Sequence, residues 1–231
     1  MSKIIFVTFL FISSVSLAQY SSDAATPEIY EHDTIVWFGA DFSQFNLCNS
    51  KKVGQDDKLY VYIQAWKEQY DNLSNTKLAY LLKREKVIDD KAYTDKAYRL
   101  LESERWIYNT DEKPKLTPSD LQDLIQEYES EEVDGIGLVY VIESFFKGRP
   151  TSVNGYFVWF DIETKEILHI YNSVGTPSNS YYNSWGLEIN WDDSLPVSKG
   201  MTGYWYHGML DATLNFTIDF KTAIPRKERQ Y

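Results

Sequence analysis

Residues 136–146 read Ile-Gly-Leu-Val-Tyr-Val-Ile-Glu-Ser-Phe-Phe, and this run decides the fold class. It follows Asp134-Gly135, is apolar almost throughout, and is rich in β-branched and aromatic side chains. Such a run predicts a strand covered on both faces, because a strand with one wet face alternates apolar with polar residues. Residues 153–162 repeat the pattern, with Tyr156, Val158 and Phe160 on one alternating set and Phe157 and Trp159 on the other. Glu163-Thr164-Lys165 then makes a short turn into residues 166–171. Three strands joined so closely predict an antiparallel meander.

Upstream of the meander the apolar period is helical. Leu59, Tyr62, Ile63, Trp66 and Tyr70 fall at spacings of three and four, which gathers them on one face. Residues 76–87 place Leu78, Leu81 and Leu82 together, and residues 91–106 do the same for Ala97, Leu100 and Leu101. The best-marked start is at Thr117, where Pro118 suits the first helical position, Asp120 can answer the cap and Leu116 can staple to Leu121. The face this helix buries is predicted to be Leu121, Leu124, Ile125 and Tyr128. Before these helices, Ile35-Val36-Trp37-Phe38-Gly39-Ala40 has strand character and ends in Asp41-Phe42-Ser43. Near the C-terminus Trp205, Met209, Ala212, Phe216 and Phe220 predict a helix that closes over the sheet.

The order is strand, helices, three strands, helix. It predicts a single α+β domain, residues 34–231, with a mixed sheet, a C-terminal three-strand antiparallel meander and four to five covering helices. Residues 172–203 are dense in Gly, Pro, Ser and Asn and read as a long surface excursion. Residues 19–33 are polar and without period, and read as a tether. Residues 1–18 carry one lysine, an apolar run from Ile4 to Ile12 and the small-residue pattern Ser16-Leu17-Ala18. That is the form of a signal peptide cleaved after Ala18, and the run is shorter than the ~20 residues a membrane span needs. The expected location is the periplasm or cell surface, with no transmembrane segment in the mature chain.

The 231-residue chain carries 34 acidic and 23 basic side chains, for a net charge of −11. A body this acidic is repelled by nucleic acid and by anionic lipid, so neither is an expected partner. Cys48 is the only cysteine, which excludes an intrachain disulfide and fits a bacterial envelope better than an animal extracellular space.

Several of these stretches resemble an uncharacterised exported family of Bacteroidetes-type bacteria. They are Gly39-Ala40-Asp41-Phe42-Ser43, the Gly135-Ile136-Gly137-Leu138-Val139 strand, the Phe160-Asp161-Ile162-Glu163-Thr164-Lys165 hairpin and the Tyr204-Trp205 pair. The resemblance covers most of the mature chain and implies an exported compartment and a shared fold; it implies no activity. The excursion near 176–200 is longer than the family pattern.

Recognisable chemistry is sparse. His32, His169 and His207 are scattered, and no metal-binding motif or cofactor fingerprint is present, so no metal or cofactor is expected. Ser43 lacks the flanking glycines of a nucleophile elbow. Asp41 at the end of one strand and Glu143 within another could converge at one rim, together with Asp161 at the end of a third. Paired carboxylates there could do acid–base work on a glycan or peptide, as glycosidases do, or could simply accept hydrogen bonds that fix loops. Many of the seven tryptophans and eighteen tyrosines fall on periodic core faces; those around the excursion, Tyr181, Tyr182, Trp185, Trp191 and Tyr204, do not. The preferred expectation is a non-enzymatic domain that binds an envelope protein or glycan through Asp41, Ser43, Tyr182, Trp185 and Tyr204. The alternative is a hydrolase using Asp41 and Glu143.

Overall fold

A computed structural model describes residues 28–49, 56–73, 75–97, 107–108, 115–130, 134–178 and 200–223. In chain order the elements are α1 (Glu28–Glu31), β1 (Thr34–Asp41), β2 (Asn46–Cys48), α2 (Asp56–Asp71), α3 (Asn75–Leu82) and β3 (Lys86–Asp89). Then come α4 (Ala92–Ala97), β4 (Ile107–Tyr108), α5 (Pro118–Gln126), β5 (Ile136–Phe146), β6 (Ser152–Asp161), β7 (Ile167–Gly175) and α6 (Gly200–Ala223). The chain is an α+β domain built on one mixed, seven-stranded sheet.

The long strand β5 organises the sheet. Its first half pairs in parallel with β1 and its last three residues pair in parallel with β2, so β1 and β2 lie end to end along one edge. Beyond them β3 extends β1 and β4 extends β2, again in parallel. On its other edge β5 pairs antiparallel with β6 over its full length, and β6 pairs antiparallel with β7. The meander is thus as the alternation predicts, and every residue of β5 is buried.

Two cores explain why both alternating sets are apolar. One face carries Trp37, Leu138, Tyr140, Phe157 and Trp159 and packs against α1, α2, α3 and α6. The other carries Phe38, Val139, Val141, Tyr156, Val158 and Phe160 and packs against α5 and Tyr128, with Tyr93 of α4 at its border. Close approach matters most where α6 crosses β7. A methyl group added to Gly175 would lie 1.9 Å from the Gly208 carbonyl, so only glycine permits that spacing.

Three expectations are corrected, and a fourth lies partly outside the described residues. The helix expected over 76–87 stops at Leu82, because Lys83 takes a left-handed φ of 52° and residues 86–89 join the sheet as β3. The polar tether is helical at Glu28–Glu31 and fastened there: Ile29 is fully buried and Tyr30 stacks on Phe220. Of the surface excursion expected over 172–203, residues 172–175 instead complete β7 and residues 200–203 begin α6, while residues 179–199 lie outside the described residues. In the stretch expected to be helical over 91–106, α4 occupies Ala92–Ala97, and residues 98–106 lie outside the described residues. No helix among the described residues is long and apolar enough to cross a membrane.

Candidate functional site

A β-bulge places one candidate carboxylate, and ordinary alternation places the other. Along β1, Trp37 and Ala40 both face the α2–α6 core although they are three residues apart, because Gly39 is inserted between them with φ of 79°. Strict alternation would put Asp41 on the face of Trp37. The extra residue turns it to the opposite face, toward α5. Along β5, Glu143 follows Val139 and Val141 by ordinary alternation to the α5 face, where it meets Tyr156, and the bulge there, where the pairing with β6 skips Glu143, brings Phe145 back to the face of Ile142. Asp41 and Glu143 therefore lie on neighbouring strands, on the same side of the sheet.

They are roofed there. Asp41 is fully buried; its Oδ2 accepts the Tyr128 hydroxyl at 2.5 Å and its Oδ1 accepts the Ser43 amide at 2.6 Å. Glu143 is 5% exposed, and its Oε1 accepts the Leu116 amide at 2.6 Å and the Tyr156 hydroxyl at 3.1 Å. The donors come from the two ends of α5. Leu116 precedes its N-cap and Tyr128 follows its last turn, so the two carboxylates hold the helix to the sheet at both ends.

The sequence of α5 prepares this fit. Thr117 and Asp120 form the reciprocal capping box, with Pro118 at the first helical turn, and the Thr117 bonds hold the Asp120 carboxyl below its ordinary range. Tyr93 stacks on Tyr128 at 4.3 Å and donates to Glu127 at 3.0 Å. Burial, with the Asp41 charge second, pushes the Tyr128 phenol well above its ordinary pKa. Burial does the same to Tyr156, with Glu143 as the next cause.

The third rim carboxylate, Asp161, is not part of this group. It accepts the amide and hydroxyl of Thr164 at 2.7 and 2.8 Å and shapes the β6–β7 turn. Ser43 lies half-buried in the turn after β1, with its amide on Asp41. Tyr204 sits on α6, half-buried against the larger core and edge-on to Trp205. It belongs to the packing and is not joined to the Asp41 group. Tyr182 and Trp185 lie outside the described residues, as do Tyr181 and Trp191.

A second polar centre was not anticipated. Lys67 is only 2% exposed, yet its ammonium reaches Asp71 at 2.5 Å, Asp95 at 3.0 Å and the Thr94 hydroxyl at 3.2 Å. Thr94 donates in turn to the Phe38 carbonyl, Asp71 accepts the Ala40 amide, and Lys91 caps the Asp71 carbonyl. The network binds α2 and α4 to the bulge at Gly39. Its one sequence signal is the four-residue spacing of Lys67 and Asp71 on a face that is otherwise apolar. Among the described residues no group of three or more His, Cys, Asp or Glu side chains is placed to share a metal ion.

Comparison of the chain with family models, with curated proteins and with solved structures gives no match.

Proposed function

We propose that this chain is an exported bacterial envelope domain that binds a glycan or protein partner and performs no catalysis. The observation that carries the reading is the commitment of Asp41 and Glu143. Both are buried, and both accept from donors that anchor α5. A general acid or base must reach substrate across an open cleft, whereas both Asp41 oxygens and the Glu143 Oε1 accept from O–H and N–H groups inside the fold. The signal-like first eighteen residues, the single cysteine and the resemblance of the Gly39–Ser43, 135–139 and 160–165 stretches to an exported family support the compartment.

The test pairs turnover with binding. Wild type, Asp41→Asn and Glu143→Gln are assayed on a panel of envelope glycans and peptides for hydrolysis, and on the same panel for retention. The expected result is no turnover by any form and ligand retention by wild type and Glu143→Gln alike, since a glutamine oxygen can still accept from Leu116 and Tyr156. Hydrolysis by wild type that vanishes in Glu143→Gln would overturn the reading. Sequencing the N-terminus of the protein from its own cells is expected to begin at Gln19.

A further inference from the structure

On the face of the molecule away from Asp41, three lysines meet around one exposed ring. Lys77 and Tyr80 lie three residues apart on α3 and so share a face. Lys83 follows directly. It is held in the left-handed conformation by a helix-ending turn in which the Arg84 amide bonds the Ala79 carbonyl at 2.8 Å and the Lys83 amide bonds the Tyr80 carbonyl at 3.3 Å. That turn separates two neighbouring cations. Arg84 goes inward, to the carbonyls of Ile29 and Tyr30 and over the Trp159 and Phe220 rings, while Lys83 stays exposed. Lys221, from the last turn of α6, brings its ammonium 5.3 Å from the centre of the Tyr80 ring. Tyr80 is still 73% exposed.

This patch runs against the charge of the whole. In a chain with net charge −11, burial lowers the pKa of the Lys221 ammonium, and the nearby Lys83 and Lys77 charges lower it further. Among the described residues neither Lys83 nor Lys221 enters an ion pair. The Lys83 and Lys221 ammonium groups repel one another, and an anionic ligand relieves that repulsion. The exposed ring adds a flat apolar surface of the kind that packs on a sugar face. Resting on the binding function proposed above, and giving it a place and a ligand class, we propose that Lys77, Tyr80, Lys83 and Lys221 form a subsite for an acidic oligosaccharide. Carboxylate or phosphate groups meet the ammonium groups and a sugar ring packs on Tyr80. A membrane fits less well, because surface attachment through basic residues takes clusters of roughly four to eight and no strongly acidic body behind them.

The test uses the mature chain and a panel of oligosaccharides matched in length: uronic-acid-bearing, phosphate-bearing and neutral. Binding is followed by titration calorimetry and by the NMR signals of dimethylated lysine ammonium groups, assigned through single lysine substitutions. Wild type is expected to bind an acidic member at least tenfold more tightly than the neutral one, with the Lys221, Lys83 and Lys77 signals shifting first. Lys83→Gln with Lys221→Gln is expected to lose at least tenfold in affinity for the acidic member, and Tyr80→Ala to weaken acidic and neutral members alike. All four positions are at the surface, so thermal melting is expected to stay unchanged and to separate lost binding from lost folding. The subsite fails, with the binding function intact, if wild type retains an acidic saccharide that the double lysine variant retains equally. It fails also if no acidic member binds, or if vesicles of anionic lipid bind where saccharides do not. Turnover of the panel, abolished by Glu143→Gln, would remove the binding function itself.

Discussion

Tyr128 and Asp41 are 87 residues apart in the chain and meet at 2.5 Å beneath α5, the phenol donating to a carboxylate that is fully buried. A hydrogen bond to a charged acceptor inside a protein is worth more than a neutral one, and removing the donor leaves the acceptor unpaired in a dry place. Tyr128→Phe is therefore expected to cost about 1.5–3 kcal/mol in urea unfolding. Tyr93→Phe, which removes an exposed hydroxyl from Glu127, is expected to stay within about 0.5 kcal/mol. Equal losses in the two variants would mean that Asp41 does not fasten the helix.

The same burial predicts an alkaline weakness. Tyr70, Tyr93, Tyr128, Tyr140, Tyr156 and Tyr171 all have pKa values raised above the ordinary 10, with burial the largest cause in each. The folded state holds these protons more tightly than the unfolded chain. The stability they confer is complete below pH 10 and declines as pH rises from there toward the folded values. Phenolate absorbance from these six is expected to climb only together with the loss of the far-ultraviolet helical signal. Ionisation of the six with the fold intact would contradict the burial.

The meander was legible because 136–146 and 153–162 are apolar on both alternations, and only strands covered on both faces need that. The α5 cap was legible because Thr117, Pro118 and Asp120 act within one turn of chain. What escaped was carried by few residues or by distant ones. The strand β3 has only Val87 and Ile88 between charged neighbours, and it becomes a strand through pairing with β1. That Asp41 and Glu143 could come near one another was legible only on the condition that their strands adjoin, a condition the pairing of β1 with β5 meets. Their roof was not, because Tyr128 and Leu116 look like ordinary core and staple positions and their polar atoms show their use only in space. The turn of Asp41 to the α5 face depends on the bulge at Gly39. A glycine within a strand pattern hints at such a bulge without giving its effect on the face.

Two glycines separate crowding from conformation. At Gly175 an added methyl collides with the α6 backbone at Gly208, whereas at Gly135 it meets nothing within 4 Å but the backbone has φ of 104°. Gly175→Ala is expected to destabilise by about 1–3 kcal/mol or more, because two backbones would have to part. Gly135→Ala should show only the strain of an unfavourable φ, on the order of 1 kcal/mol. Their melting temperatures, measured side by side, should rank in that order; the reverse ranking would show that α6 is not seated tightly on β7.

Asp71 offers a pH test of the buried network. Burial raises its pKa above the ordinary 3.8, and the Lys67 and Lys91 charges and the Ala40 amide only partly oppose this. A carboxyl with a raised folded value binds its proton more tightly when folded, so its contribution is greatest below the unfolded value. That contribution diminishes as pH rises through the interval up to the folded value. This is opposite to the usual behaviour of a salt-bridged aspartate. The stability of wild type minus that of Asp71→Asn is expected to fall as pH rises through that interval and then level off. Lys67→Met, which removes the largest opposing charge, should move the interval to higher pH, as read from the Asp71 carboxyl signal in an NMR titration. A difference that grows with pH would show that the Lys67 charge outweighs burial, and that the network stabilises Asp71 as an ion.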